Sequence, residues 1–209
     1  MTDILNTIAN TRAISILRGI PHTHINATVD ALYAGGIRCI EITMDSPKAL
    51  HMIEQVREHY GDRMLIGAGT VLDEATARSA ILAGADFVLA PTLSTDMIEL
   101  CNTYGKLAVP GVFTPSEALT AAQAGALLVK VFPVRALGPS YISDMLGPLP
   151  QLRLLPVGGV DEHNARAYID AGAFAVGLGS CLANKKQVLA GEYPTITASA
   201  QQLIKSLAV

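Results

Sequence analysis

The sequence predicts an α/β fold, a single (β/α)8 barrel of the TIM type with a short N-terminal helix, and three observations predict it. Short apolar runs recur at intervals of about 20–27 residues, with helical patterns between them. The tripeptide A-G-A returns at 83–85, 124–126 and 171–173, each time just before a run. Eight such units follow one another without a break in composition, which fits a closed barrel better than an open doubly wound sheet.

In chain order, a helix over residues 3–10 comes first and is expected to cover the bottom of the barrel. Strands are expected at 13–19, 39–44, 65–69, 87–91, 107–111, 127–133, 154–159 and 175–179, because near-continuous hydrophobicity marks a parallel strand covered on both faces. Amphipathic helices are expected at 47–59, 74–83, 95–104, 116–124 and 163–171, and a final helix at 195–207. Asp73, Ser94, Thr114 (followed by Pro115 and Glu117) and Asp161 suit N-cap positions. Gly61, Gly84, Gly105, Gly125 and Gly172 suit helix ends. No linker interrupts the pattern, so residues 1–209 form one domain.

Composition narrows the function. Half of the chain is hydrophobic and 16% is charged, against about 25% in ordinary domains. Some apolar surface is therefore expected to be covered by another subunit. The net charge is −3 and no basic run exists, so nucleic acid is not an expected partner. The start, MTDILNTIAN, lacks the basic residues and apolar stretch of a secretory signal, and no segment suits a bilayer. Cys39, Cys101 and Cys181 lie far apart, which is neither a disulfide framework nor a zinc pattern, and a cytoplasmic location follows. The five histidines fall in loops and helices, so no metal or cofactor is expected.

Active sites of such barrels lie at the C-terminal ends of the strands. Three ionisable residues sit inside or at the end of an apolar strand: Arg18, Glu41 and Lys130. Buried charges are costly alone, so the three are expected to pair with one another or with a ligand. Strand alternation sets Lys130 on the inward side with Leu128 and Phe132, and Glu41 with Thr43. Burial can lower a lysine pKa by as much as about 3–5, and a neutral amine attacks a ketone to form an imine. Strand position alone favours the catalytic lysine and leaves a structural lysine paired with Glu41 open. Glu41 could move protons for the amine or merely neutralise it.

Glycines end several strands. In G-A-G-T (67–70) the backbone is open to a ligand, and the Thr70 hydroxyl can bind a carboxylate or carbonyl oxygen. Gly158-Gly159 and Gly179-Ser180 follow the seventh and eighth strands, where many barrels hold phosphate on backbone N–H groups and a helix N-terminus. Ordinary turns would carry the same glycines. Arg18 suits a phosphate or a carboxylate.

Taken together, the segments I-L-R-G (16–19), E-I-T (41–43), I-G-A-G-T-V (66–71), P-G-V-F-T-P-S-E (110–117), K-V-F-P (130–133), G-G-V (158–160) and G-L-G-S (177–180) resemble the KDPG/KHG aldolases. These act on 2-keto-3-deoxy-6-phosphogluconate, its galactonate epimer, or 4-hydroxy-2-oxoglutarate. The resemblance implies a metal-free class I aldolase, commonly trimeric, with Lys130 as the Schiff-base lysine and Glu41 as general acid/base. It implies that Thr70 binds the pyruvate carboxylate, that Pro91 and Phe132 shape the pocket, and that Arg18, Gly158, Gly159 and Ser180, beside Gly179, hold phosphate. One position departs: where many phosphogluconate-type members carry an arginine four residues after the glutamate, this chain has Asp45. Asp45 would repel a carboxylate and is expected to face a hydroxyl or point outward. M-D-S-P (44–47) and A-L-G-P-S-Y-I (136–142) look like the phosphogalactonate branch. The implied reaction yields pyruvate and glyceraldehyde 3-phosphate from a phosphorylated keto acid. Cleavage of 4-hydroxy-2-oxoglutarate, or decarboxylation of oxaloacetate, would use the same imine. A sugar-phosphate sensor is the non-enzymatic alternative.

Overall fold

The apolar runs become strands because both of their faces are covered, the inner by one another and the outer by helices. The computed structural model describes residues 1–208, the Thr2 side chain excepted. Its strands are β1 (Ala13–Leu17), β2 (Cys39–Thr43), β3 (Leu65–Gly69), β4 (Phe87–Leu89), β5 (Leu107–Val109), β6 (Gly111–Val112), β7 (Val129–Val131), β8 (Leu154–Pro156) and β9 (Val176–Leu178). Its α-helices are α1 (Thr2–Thr11), α2 (Ile25–Ala34), α3 (Ala49–Tyr60), α4 (Glu74–Leu82), α5 (Thr95–Thr103), α6 (Pro115–Gln123), α7 (Ser140–Leu146), α8 (Ala165–Asp170), α9 (Lys185–Leu189) and α10 (Tyr193–Leu207). None is long and apolar enough to cross a membrane among the described residues.

Hydrogen bonding draws two parallel sheets, in the orders β5-β4-β3-β2-β1-β9 and β6-β7-β8, rather than the single closed eight-stranded ring expected. The first interruption has a plain cause. Pro110 splits the fifth expected strand because it has no N–H to give a ladder, although its carbonyl still accepts from Lys130 N at 2.9 Å. The second lies between β8 and β9, where a lone parallel bridge joins Val157 to Gly177. β3 has the bounds expected, while the other strands are shorter than expected, mostly because their last residues turn away as loops.

Alternation sorts the side chains into two clusters. Inward residues such as Ile14, Phe87, Leu107, Leu128 and Leu155 form one, and Ile8 of α1 plugs its bottom, as expected of the leading helix. Outward residues such as Leu17, Ile42, Ile66 and Val131 pack beneath the helices. Parallel register sets Ile16, Glu41 and Gly67 side by side, and Lys130 between Gly111 and Leu155.

Capping follows the sequence in three of four places. Asp73 accepts from Thr76 N at 2.7 Å and Ser94 from Met97 N at 3.1 Å, while Thr114 and Glu117 form a reciprocal capping box. The fourth is a correction. Helix α8 starts at Ala165 with Asn164 as its N-cap, because Asp161 instead takes the N–H groups of His163 and Asn164 in a turn of its own. The glycine of each A-G-A repeat has a positive φ, at 107° for Gly84, 99° for Gly125 and 101° for Gly172.

A Cβ on Gly67 would overlap the ring of Phe87, whose side chain is fully buried within the inner cluster. Overpacking of this kind costs about 1–3 kcal/mol. Gly67→Ala should therefore lower the midpoint of urea unfolding by that free energy, and adding Phe87→Leu should recover part of it. A fully stable Gly67→Ala protein would contradict this packing.

Candidate active site

All ten residues singled out from the sequence line one cleft of about 510 Å³, at the C-terminal ends of the strands. At its floor are Lys130, from the middle of β7, and Glu41, from the middle of β2, which are 5% and 1% exposed. Small inward residues make room for them. A Cβ on Gly69 would collide with the Glu41 carboxyl, so only glycine allows that carboxyl to lie across β3.

Of the two kinds of partner expected for the three charges, one another or a ligand, the mutual pairing does not form. No ion pair within 4.0 Å joins Lys130 to a carboxylate among the described residues, and its Nζ lies 4.8 Å from the centroid of the Phe132 ring. The Glu41 Oε2 is buried without a hydrogen-bond partner. Burial pushes the Glu41 carboxyl above its usual range, and the positive charges of Lys130 and Arg18 only partly offset this. Burial likewise pulls the Lys130 amine below its usual range; Glu41 opposes that fall and Arg18 adds to it. In both groups desolvation outweighs attraction, leaving an amine that loses its proton readily beside a carboxyl that readily keeps one.

Arg18 is half-exposed and pairs with Asp45, which is exposed at the rim, as the outward alternative expected, and meets a guanidinium there rather than a hydroxyl. The Arg18 Nη2 also donates to Thr70 Oγ1 at 2.9 Å. Thr70 holds a φ of 57°, a conformation costly for a β-branched residue and found mostly at functional sites. Pro91 and Phe132 also line the cleft.

Across the cleft stand Gly158 and Gly159, with φ of 86° and 107°, and beyond them Gly179 and the exposed Ser180. A Cβ on Gly158 would come 3.0 Å from the Phe132 ring. The helix N-terminus expected after Ser180 is absent. Residues 180–183 form turns, closed by Leu182 N donating to Gly179 O at 3.2 Å, and α9 begins at Lys185.

Two charged lining residues were missed from the sequence. Asp161 was read only as a cap. Arg135 stands five residues beyond Lys130, where a basic residue in a strand-end loop was a usable signal. Cys181 also reaches the cleft, but burial pushes its thiol up to about 11, which leaves it a poor nucleophile. Among the described residues no three His, Cys, Asp or Glu side chains converge as metal ligands.

Comparison with known proteins adds three kinds of likeness. The sequence model of the KDPG and KHG aldolase family matches residues 4–199. The chain is 38% identical to the 2-dehydro-3-deoxy-6-phosphogalactonate aldolase of Escherichia coli strain K12, over 81% of this chain and 83% of that one. It is 31% identical to the 2-dehydro-3-deoxy-phosphogluconate aldolase of Treponema pallidum strain Nichols, over 94% and 97%. A crystal structure of KDPG aldolase from Legionella pneumophila, with pyruvate captured as a covalent carbinolamine, superposes with a TM-score of 0.89 at 25% identity, covering 95% of this chain and 97% of that one.

The direction of the Glu41 shift makes stability depend on pH. A carboxyl whose folded pKa is raised favours the fold below its ordinary value of 4.5, and that benefit is lost as pH rises through the folded value. Glu41→Gln removes this loss. Its Tm should match wild type most closely near pH 4.5 and exceed it by a widening margin towards pH 8. A gap that narrows with rising pH would contradict the buried, unpaired carboxyl.

Proposed function

Since the chain belongs to the KDPG and KHG aldolase family, we propose that it cleaves a 2-keto-3-deoxy-6-phospho sugar acid to pyruvate and glyceraldehyde 3-phosphate through an imine on Lys130. It is an enzyme, an aldehyde-lyase. The observation that carries the mechanism is the buried Lys130 amine, free of any ion pair among the described residues, with the unpartnered Glu41 oxygen in the same cleft.

Each step follows from these two groups. The neutral Lys130 Nζ attacks the C2 ketone, and loss of water from the carbinolamine leaves a protonated imine. Glu41 supplies and removes the protons that this exchange needs. It then takes the C4 hydroxyl proton as the C3–C4 bond breaks, and the bonding electrons move into the imine to give an enamine. The aldehyde departs. Protonation of the enamine at C3 through Glu41 and hydrolysis of the imine release pyruvate and free Lys130.

Thr70 receives the keto-acid carboxylate in this reading; Arg18, which the resemblance sets on the phosphate, is placed at the carboxylate instead because it is bonded to Thr70 and held by Asp45. Pro91 and Phe132 shape the pocket around the reacting carbons, while Gly158, Gly159, Gly179 and Ser180 receive the phosphate. The galactonate epimer is favoured by the higher identity to the phosphogalactonate enzyme and by Asp45 at the position of the family's arginine. We read the two sheets as one (β/α)8 barrel, supported by the chain running through Pro110 and by the Val157–Gly177 bridge. A homotrimer is supported by the low charge content and by exposed Leu72, Leu82 and Leu189, and a cytoplasmic site by three unpaired cysteines.

Borohydride reduction in the presence of pyruvate should leave a three-carbon adduct on Lys130, found by peptide mass spectrometry. Lys130→Met should lose both the adduct and all but about one-thousandth of the turnover. Glu41→Gln should still form the adduct while losing roughly 10²–10⁴-fold in kcat. An adduct on another lysine would overturn the mechanism. Turnover that changes less than about tenfold when phosphate is removed from the substrate would favour 4-hydroxy-2-oxoglutarate cleavage instead.

A further inference from the structure

Three cationic side chains face the cleft: Arg18, Lys130 and Arg135. Two of them have other work. Lys130 carries the imine in the mechanism above, and Arg18 is paired with Asp45 and bonded to Thr70 on the keto-acid side. Arg135 is exposed, in the loop after β7, and has no hydrogen-bond or ion-pair partner among the described residues.

Its position is defined by the glycine loop rather than by chance exposure. A Cβ on Gly159 would come 2.8 Å from both Cα and Cβ of Arg135, so the loops after β7 and β8 press together backbone to backbone. Asp161 is a competing anion on the lining, but it makes no ion pair with Arg135 among the described residues, and its Oδ1 accepts from the N–H groups of His163 and Asn164. A phosphate monoester brings close to two negative charges at neutral pH. Turn amides offer hydrogen bonds but no net charge, and no helix N-terminus follows Ser180 to supply one. A guanidinium is suited to the task, because its fork of N–H donors matches two phosphate oxygens at once.

We propose that Arg135 is the phosphate-binding cation of the cleft, and so the residue that sets its preference for phosphorylated over unphosphorylated keto acids. This rests on the aldolase reading above and deepens it. It also divides the labour of the two arginines: Arg18 serves the carboxylate end and Arg135 the phosphate end.

The test compares Arg135→Gln and Arg135→Lys with wild type, using a 2-keto-3-deoxy-6-phospho acid and unphosphorylated 4-hydroxy-2-oxoglutarate. In Arg135→Gln the ratio of kcat/KM for the phosphorylated over the unphosphorylated substrate should fall roughly 10–100-fold, chiefly through KM. Arg135→Lys should recover part of it, since the charge remains but the fork is lost. Inorganic phosphate, as a competitive inhibitor, should weaken by a similar factor in Arg135→Gln. An unaltered ratio, or a loss carried by kcat for both substrates equally, would overturn the assignment. Borohydride trapping of pyruvate on the wild-type enzyme reads the aldolase reaction separately, so a failure there is distinguishable from a failure of Arg135 alone.

Discussion

The desolvation of two opposite charges that do not touch is the constraint on which the rest of the structure depends. Lys130 and Glu41 face inward from the curled sheets, nearly sealed from solvent, and burial outweighs their attraction in shifting both. A tight ion pair would have restored the ammonium and the carboxylate. Keeping them apart costs stability and yields reactivity, because each is held in the less charged form that an imine mechanism uses.

The inward face is arranged around that constraint. Phe87, Leu107, Leu128 and Leu155 fill the inner cluster and exclude water from beneath the two charges, and Ile8 of α1 closes the bottom. Toward the mouth the inward positions shrink to Gly69, across which the Glu41 carboxyl lies, and to Gly177, which lines the cleft. The rim is then polarised. Arg18, Asp45 and the strained Thr70 form one side, and paired glycines with Arg135 form the other. A strained threonine persists only where its surroundings over-determine it, at a cost of order 1–3 kcal/mol.

Much of this was legible in the sequence for a physical reason. A strand buried on both faces must be apolar throughout, so a lysine or glutamate inside one stands out, and alternation assigns it a face. The leading helix and three of the four caps were legible because capping is a local matter of a few residues. What escaped was decided at longer range. Arg18 and Asp45 stand 27 residues apart and meet only when β1 and β2 align, so neither the pairing nor the freedom of Arg135 could be read beforehand. Pro110 was visible, but its splitting of a strand depends on which neighbour needed the missing N–H. Asp161 caps the turn before α8 rather than the helix itself, since its Oδ1 takes the N–H groups of His163 and Asn164 and the helix begins only at Ala165.

The most direct test of the central claim is the ionisation of Lys130 itself. Carbon-13 reductive methylation followed by NMR titration, with the resonance assigned through Lys130→Arg, reads that equilibrium in the free enzyme. The predicted result is a midpoint below the ordinary lysine value of 10.5, falling further in Glu41→Gln, where the opposing charge is gone. A midpoint at or above 10.5 would show that attraction to Glu41 wins over desolvation, and would contradict this account of the site.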